Sequence, residues 1–281
     1  MVLVAADAPG APCWLSLMTR DLQAAERFYG AVLGWTFRRG VFGRASSVAE
    51  LDGVPVAGIG ATAGESAVPV AWTVYFAVDD ADAAVAGIRA RGGTVGVGPV
   101  SYPPRGRAAL ATDPEGAAFG VWEGEALTEW RVGDGEAPAW VELHTRDAFD
   151  AAVFYGEVLE WVGGEDEDED EDAACCEVSY EDDRVVLRRA GRAVARLNSG
   201  PVDATAARPQ LRPHWLVHFK VPDLERARRA VVAHGGTVVP DEAGWGGVDQ
   251  YVTVCDPDGG LFTLDLDQPR PGPGHRSHRM P

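Results

Sequence analysis

Lysine is almost missing from this chain. Lys220 is the one lysine among 25 basic residues, and the 43 acidic side chains leave a formal net charge of −18. A nucleic-acid partner requires a basic footprint on the phosphate backbone, and this balance excludes one. No apolar run is long enough to span a bilayer, and no basic-apolar leader opens the chain. The expectation is a soluble, cytoplasmic protein with no membrane partner. There are only four cysteines: Cys13, Cys175, Cys176 and Cys255. Their spacing suits neither a zinc ribbon nor a redox pair, and a bridge between the adjacent Cys175 and Cys176 would be strained. Reduced thiols are expected.

A repeat is what the chain does have. Cys13-Trp-Leu-Ser-Leu-Met-Thr-Arg-Asp21, followed by the Phe28-Tyr-Gly30 stretch and Trp35, returns as Ala139-Trp-Val-Glu-Leu-His-Thr-Arg-Asp147, followed by Phe154-Tyr-Gly156 and Trp161. Each copy reads as a strand, an aspartate N-cap and an amphipathic helix. A later strand–helix unit repeats too. It runs from Trp72 with a helix over 80–91, and from Trp215 with a helix over 223–234; each closes on a turn, Asp113-Pro-Glu-Gly116 or Asp256-Pro-Asp-Gly259. The offset is 140 − 14 = 126 for the first unit and 215 − 72 = 143 for the second, so the second half holds 17 extra residues before Trp215. Either the acidic run Glu165–Asp172 or Asn198–Pro213 can host them. The acidic run lacks the glycine of a calcium loop and reads as a solvated segment.

These marks divide the chain into a flexible N-terminal arm over 1–12, a first domain over 13–123, a linker over 124–138, a second domain over 139–267 and a disordered tail over 268–281. The Phe-Tyr-Gly helix with its following Trp, and the Asp-Pro-x-Gly turn before each last strand, resemble the vicinal-oxygen-chelate superfamily. That is the glyoxalase, bleomycin-resistance and extradiol-dioxygenase group. Within it, the chain looks most like tandem actinobacterial members labelled hydroxylases. The resemblance implies an α+β fold: four βαβββ units forming two tandem domains, each a half-open β-barrel around a cavity. The units of one half share a sheet, or the first unit faces the fourth and the second faces the third. The exchanged arrangement would separate Glu142 and His144 from His218.

Metal-using relatives draw one ligand from the first strand and one from the last strand of each unit. Counting from the helix caps and turns puts Trp14, Thr73, Trp140 and Leu216 in the first-strand slots, and Gly58, Gly120, Arg196 and Thr263 in the last-strand slots. Indole, alkyl and glycine side chains do not ligate and a guanidinium repels a cation, so neither a metal nor another cofactor is expected.

Strand alternation places Val141, Leu143, Val217, Phe219, Val221, Leu15 and Leu17 under the helices, and their neighbours on the opposite, inward face. In the first half that face offers Trp14, Met18, Tyr75 and Trp122. In the second it offers Trp140, Glu142, His144, Arg196, His218, Lys220 and Asp265. The candidate catalytic residues are His144, His218 and Glu142, with His144 or His218 as acid/base and Glu142 as its orienter, because histidine titrates near neutral pH. The expected substrate contacts are Trp14, Met18, Tyr75, Trp122, Trp140, Arg196, Lys220, Asp265 and Trp245, the last on a glycine-rich rim. A satisfied polar network or a solvated barrel mouth would explain the same ionisable groups without catalysis. The leading expectation is a metal-independent protein of specialised metabolism, a monomer or homodimer, acting on a hydrophobic or aromatic small molecule by acid/base chemistry of the isomerase, lyase, cyclase or hydroxylase type. The alternatives are an antibiotic-sequestering resistance protein and a metal-dependent glyoxalase or dioxygenase with non-canonical ligands.

Overall fold

Four aspartates begin the four helices. Asp21, Asp80, Asp147 and Asp223 all have extended backbone angles, and each side chain accepts from a backbone N–H two or three residues on. Such caps satisfy donors that a helix N-terminus leaves open. The helices are α1 (Leu22–Leu33), α2 (Ala81–Ala90), α3 (Ala148–Leu159) and α4 (Leu224–Ala233). The computed structural model describes residues 3–5, 9–40, 45–61, 70–127, 130, 132–133, 137–163, 176–181, 184–240 and 251–267. The acidic run, Cys175, the loop that carries Trp245 and the tail from 268 lie outside the described residues.

Strands β1 (Leu3–Ala5), β2 (Pro12–Met18), β3 (Thr36–Arg39), β4 (Ser46–Leu51), β5 (Val54–Gly60), β6 (Ala71–Ala77), β7 (Thr94–Tyr102), β8 (Gly106–Thr112) and β9 (Ala118–Leu127) belong to the first half. Their order is β3-β4-β5-β2-β6-β9-β8-β7, with β1 on the far part of β9. The second half holds β10 (Ala139–Thr145), β11 (Val162–Gly163), β12 (Glu177–Glu181), β13 (Arg184–Arg189), β14 (Arg192–Ser199), β15 (His214–Val221), β16 (Thr237–Val238), β17 (Tyr251–Cys255) and β18 (Leu261–Leu266). Its order is β11-β12-β13-β14-β10-β15-β18-β17-β16. Each sheet therefore joins the two units of one half, through the antiparallel pairs β2–β6 and β10–β15. The sheets are open, as a pair of tandem α+β domains requires. Among the described residues no helix is long and apolar enough to cross a membrane.

The helices follow the other pairing. On α1, Phe28 packs edge-on to Phe262 of β18, and Trp35 just beyond the helix meets Phe219 of β15 at 4.8 Å. In mirror fashion Phe154 on α3 meets Phe119 of β9, and Trp161 meets Phe76 of β6. One apolar cluster consequently spans both halves, and it contains every residue expected under the helices: Leu15, Leu17, Val141, Leu143, Val217, Phe219 and Val221. Two hydrogen-bond chains cross it. Trp72 donates to the Tyr29 hydroxyl, which donates to Asp256; Trp215 donates to Tyr155, which donates to Asp113.

The positive-φ pair Asp52–Gly53 in the β4–β5 turn has its equivalent at Ala190–Gly191. The offset there is 190 − 52 = 138. Of the 17 extra residues, 138 − 126 = 12 precede this turn and 143 − 138 = 5 follow it, so both candidate segments carry part of the insertion. Strand β12 is the visible product, lodged between β11 and β13. Leu3–Ala5 pair with β9, and Gly10 donates to the Ala77 carbonyl and accepts from the Trp161 indole.

Candidate active site

Four strands at the centre of the second sheet assemble the ionisable residues. Register pairs Glu142 with Arg196, Trp140 with His218, His144 with His214, and His218 with Thr263. Because β10 and β15 are antiparallel, residues from both units meet on one face, and Glu142 stays beside His218. Glu142 Oε2 lies 3.6 Å from Nε2 of His144 and 3.6 Å from Nε2 of His218. Its carboxylate also accepts from the Trp140 indole at 2.9 Å and from the Asn198 amide at 3.2 Å. The Arg196 guanidinium sits 3.9 Å from Glu142 and stacks 4.8 Å above the Trp140 ring. Asp265 approaches His218 Nδ1 at 3.2 Å.

Burial opposes charge on Glu142. The opposing charge of His218, the nearby His144 imidazole and the Trp140 donor outweigh it, and together they hold the carboxyl well below its usual range. Trp140, His144, His218 and Asp265 are buried although they face away from the helices, and Glu142 is nearly so. Ionised groups in such a place need partners, and each here has at least one.

The first sheet carries different side chains at the equivalent positions. Ser16, Met18 and Tyr75 stand where the second sheet has Glu142, His144 and His218 (16 + 126, 18 + 126 and 75 + 143). Trp14 is half-buried and lies 6.0 Å from Trp130, whose indole donates to the Val56 carbonyl. Trp122 donates to the Glu125 carbonyl, and its ring lies tilted 6.2 Å from that of Tyr102.

The structure thus gathers Trp140, Glu142, His144, Arg196, His218 and Asp265 on one sheet, with Lys220 half-buried on β15 and paired in register with Asp265. Trp14, Met18, Tyr75 and Trp122 belong to the other sheet. Asp265, expected as a substrate contact, lies 3.2 Å from His218 Nδ1. Four residues escaped the sequence reading. His214, two positions before Leu216, extends the inward alternation of β15, and its ring lies 5.2 Å from that of His144. Asn198 does the same on β14 beyond Arg196. Tyr251 packs its ring 5.9 Å from that of His218. Trp130 lies in a stretch without periodicity and left no signal.

In register, Gly58 pairs with Ser16, Gly120 with Tyr75, Arg196 with Glu142 and Thr263 with His218, so each last-strand slot implied by the resemblance lies beside the residue two positions beyond its counted first-strand slot. Their occupants do not fit a metal. A Cβ on Gly58 would lie 2.9 Å from Trp14 Nε1, and one on Gly120 would lie 2.3 Å from Tyr75 Cδ1. Aromatic rings fill the space a ligating carboxylate would need. In the second sheet the slot at 196 presents a cation. Among the described residues no group of three or more His, Cys, Asp or Glu side chains is arranged to hold a metal ion.

Two profiles match the chain in tandem. Residues 13–121 match the Glyoxalase/Bleomycin resistance protein/Dioxygenase superfamily, and residues 140–264 match a glyoxalase-like domain. The chain belongs to that superfamily. Among its relatives are two anthracycline biosynthesis proteins: DauV of Streptomyces sp. strain C5, 33% identical over 82% of this chain and 84% of that protein, and DnrV of Streptomyces peucetius, 31% identical over 84% and 86%. The Mn(II)-bound glyoxalase of Novosphingobium aromaticivorans shares the fold at a TM-score of 0.52 and 16% identity, covering 92% of this chain and 82% of that one.

Proposed function

We propose that this protein takes a flat, hydrophobic aromatic metabolite of specialised metabolism and acts on it by metal-independent acid/base chemistry on the second sheet. His144 and His218 are the acid and base, and Glu142 holds them. The observation that carries this reading is the single carboxylate oxygen of Glu142, 3.6 Å from both imidazole Nε2 atoms on a buried face. Trp140, with Arg196 stacked on its ring, offers a planar wall beside them. The anthracycline biosynthesis relatives support a fused-ring aromatic substrate, and the aromatic occupants of the metal slots support chemistry without a metal.

The test uses a fused-ring aromatic ketone of the anthracyclinone type. Protein purified without chelator should turn it over while holding well under one equivalent of Fe, Mn, Ni or Zn. His144→Ala and His218→Ala should each lower turnover by about 10²-fold or more, the usual worth of a general acid or base, and leave ligand quenching of tryptophan fluorescence intact. Unchanged turnover in both variants, or a stoichiometric metal that activity needs, overturns the reading. The half-buried rings of Trp14, Tyr75 and Trp122 on the first sheet favour a second reading, sequestration of an aromatic antibiotic. Quenching by a ligand recovered unaltered from every wild-type incubation would select it.

A further inference from the structure

Three rings of the first sheet each lie against a glycine. Trp14 of β2 leans over Gly58 of β5, where an added Cβ would come 2.9 Å from the indole nitrogen. Tyr75 of β6 leans the other way, over Gly120 of β9, where a Cβ would meet its ring at 2.3 Å. Trp122 of β9 lies over Gly106 of β8, its Cζ2 2.9 Å from where a Cβ would stand. A side chain at any of these glycines would lift the ring off the backbone. Trp14 and Tyr75 are register partners on neighbouring strands, so two adjacent rings part in opposite directions. All three rings are half-buried, and the buried Trp130 stands beside Trp14.

No charge faces them from the strands that carry them. Among the described residues, the inward positions of β2, β5, β6, β8 and β9 hold only aromatic, aliphatic, glycine, serine, threonine and methionine side chains. The second sheet carries Arg196 for Gly58, His218 for Tyr75, Lys220 for Ala77 and Asp265 for Trp122 on the same frame (58 + 138, 75 + 143, 77 + 143 and 122 + 143). One polar atom stands amid the rings. The Tyr75 hydroxyl makes no hydrogen bond to any described residue. Burial pushes its phenol above the ordinary value, so it stays protonated and able to donate. A half-buried donor that the chain does not satisfy is open to an acceptor carried by a ligand.

We propose that the inward face of the first sheet is a binding site of its own, separate from the histidine face, for an uncharged, planar fused-ring molecule that carries a carbonyl or quinone oxygen. Trp14, Tyr75 and Trp122 stack against the plane of the ligand, and the Tyr75 hydroxyl donates to its oxygen. Strands β2, β6 and β9 are neighbours, so the three rings extend across roughly 10 Å of sheet, which suits several fused rings better than one. A charged ligand would lose its water here and gain no partner. The site rests on the sequestration reading above and is indifferent to catalysis on the second sheet.

Indole N–H NMR of the full chain tests it, with Trp14→Phe, Trp122→Phe and Trp140→Phe assigning the signals and a neutral hydroxymethyl-anthraquinone as the probe. The probe should shift the Trp14 and Trp122 signals along a saturating curve. Tyr75→Phe keeps the ring and should weaken the affinity read there by about threefold to tenfold, the worth of one hydrogen bond between neutral groups. The sulfonate and trimethylammonium counterparts of the probe should bind there about tenfold more weakly or worse, since neither charge meets a partner. Trp14 and Trp122 signals unmoved by the neutral probe, an affinity unchanged in Tyr75→Phe, or a charged counterpart that binds as well as the neutral one overturns the site. Quenching by an unaltered ligand with those two signals unmoved would overturn this site and leave sequestration standing. The expected shifts in a protein that converts the fused-ring ketone would count against sequestration alone.

Discussion

The Tyr29 hydroxyl, on a helix of the first half, donates to the Asp256 carboxylate in the last turn of the second at 2.9 Å. The same bond recurs between Tyr155 and Asp113 at 3.1 Å, with the halves exchanged. Burial pushes both aspartates above the usual carboxyl value of 3.8, against the pull of the hydrogen bonds that each accepts from backbone N–H groups and its tyrosine. A carboxyl raised on folding stabilises the fold fully below its unfolded pKa, and that contribution is lost as pH rises through the folded value. Asp113→Asn with Asp256→Asn should therefore flatten the fall in stability that begins near pH 3.8 and continues above it, as read by urea unfolding across pH. Tyr29→Phe leaves a buried carboxylate short of a donor and should cost about 1–3 kcal/mol at neutral pH.

Gly120 is held to glycine by the ring above it. A Cβ there would lie 2.3 Å from Tyr75 Cδ1. Gly120→Ala should destabilise by about 1–3 kcal/mol, the cost of overpacking. Pairing it with Tyr75→Ala removes the clash, so the double variant should be more stable than the sum of the two single losses predicts. Thermal melts of the four proteins give the coupling, and strict additivity would sink this account of the slot.

Glu160 ends α3 at φ 59°, in the left-handed region, where its repeat partner Gly34 ends α1 at φ 73°. The left-handed form costs a non-glycine residue about 1–2 kcal/mol. Glu160→Gly should raise stability by up to about 1 kcal/mol once the greater freedom of glycine in the unfolded chain is deducted. Denaturant midpoints at constant slope read this directly, and a loss of stability contradicts it.

The repeat was legible because its markers are side chains that recur at fixed spacing: Trp14 and Trp140, Tyr29 and Tyr155, Asp113 and Asp256. The inward and outward faces were legible because alternation is local. Which units pair was not. Sheets join neighbours in the chain and helices cross to the opposite half, and both sets of contacts use residues far apart in sequence. The same limit hid the approach of Asp265 to His218, which depends on the parallel register of β15 with β18. His214 could have been found by carrying the β15 alternation one step further. Trp130 could not, because a single indole in a polar stretch has no period to betray it.

The exchanged helices make each half the missing partner of the other, so the chain is a symmetric dimer written as one polypeptide. In a dimer of identical subunits a new histidine arises on both faces at once, and each gain in chemistry is duplicated whether or not it helps. Fusion removes that obligation. One sheet here has Ser16, Met18 and Tyr75 where the other holds Glu142, His144 and His218 on the same backbone frame.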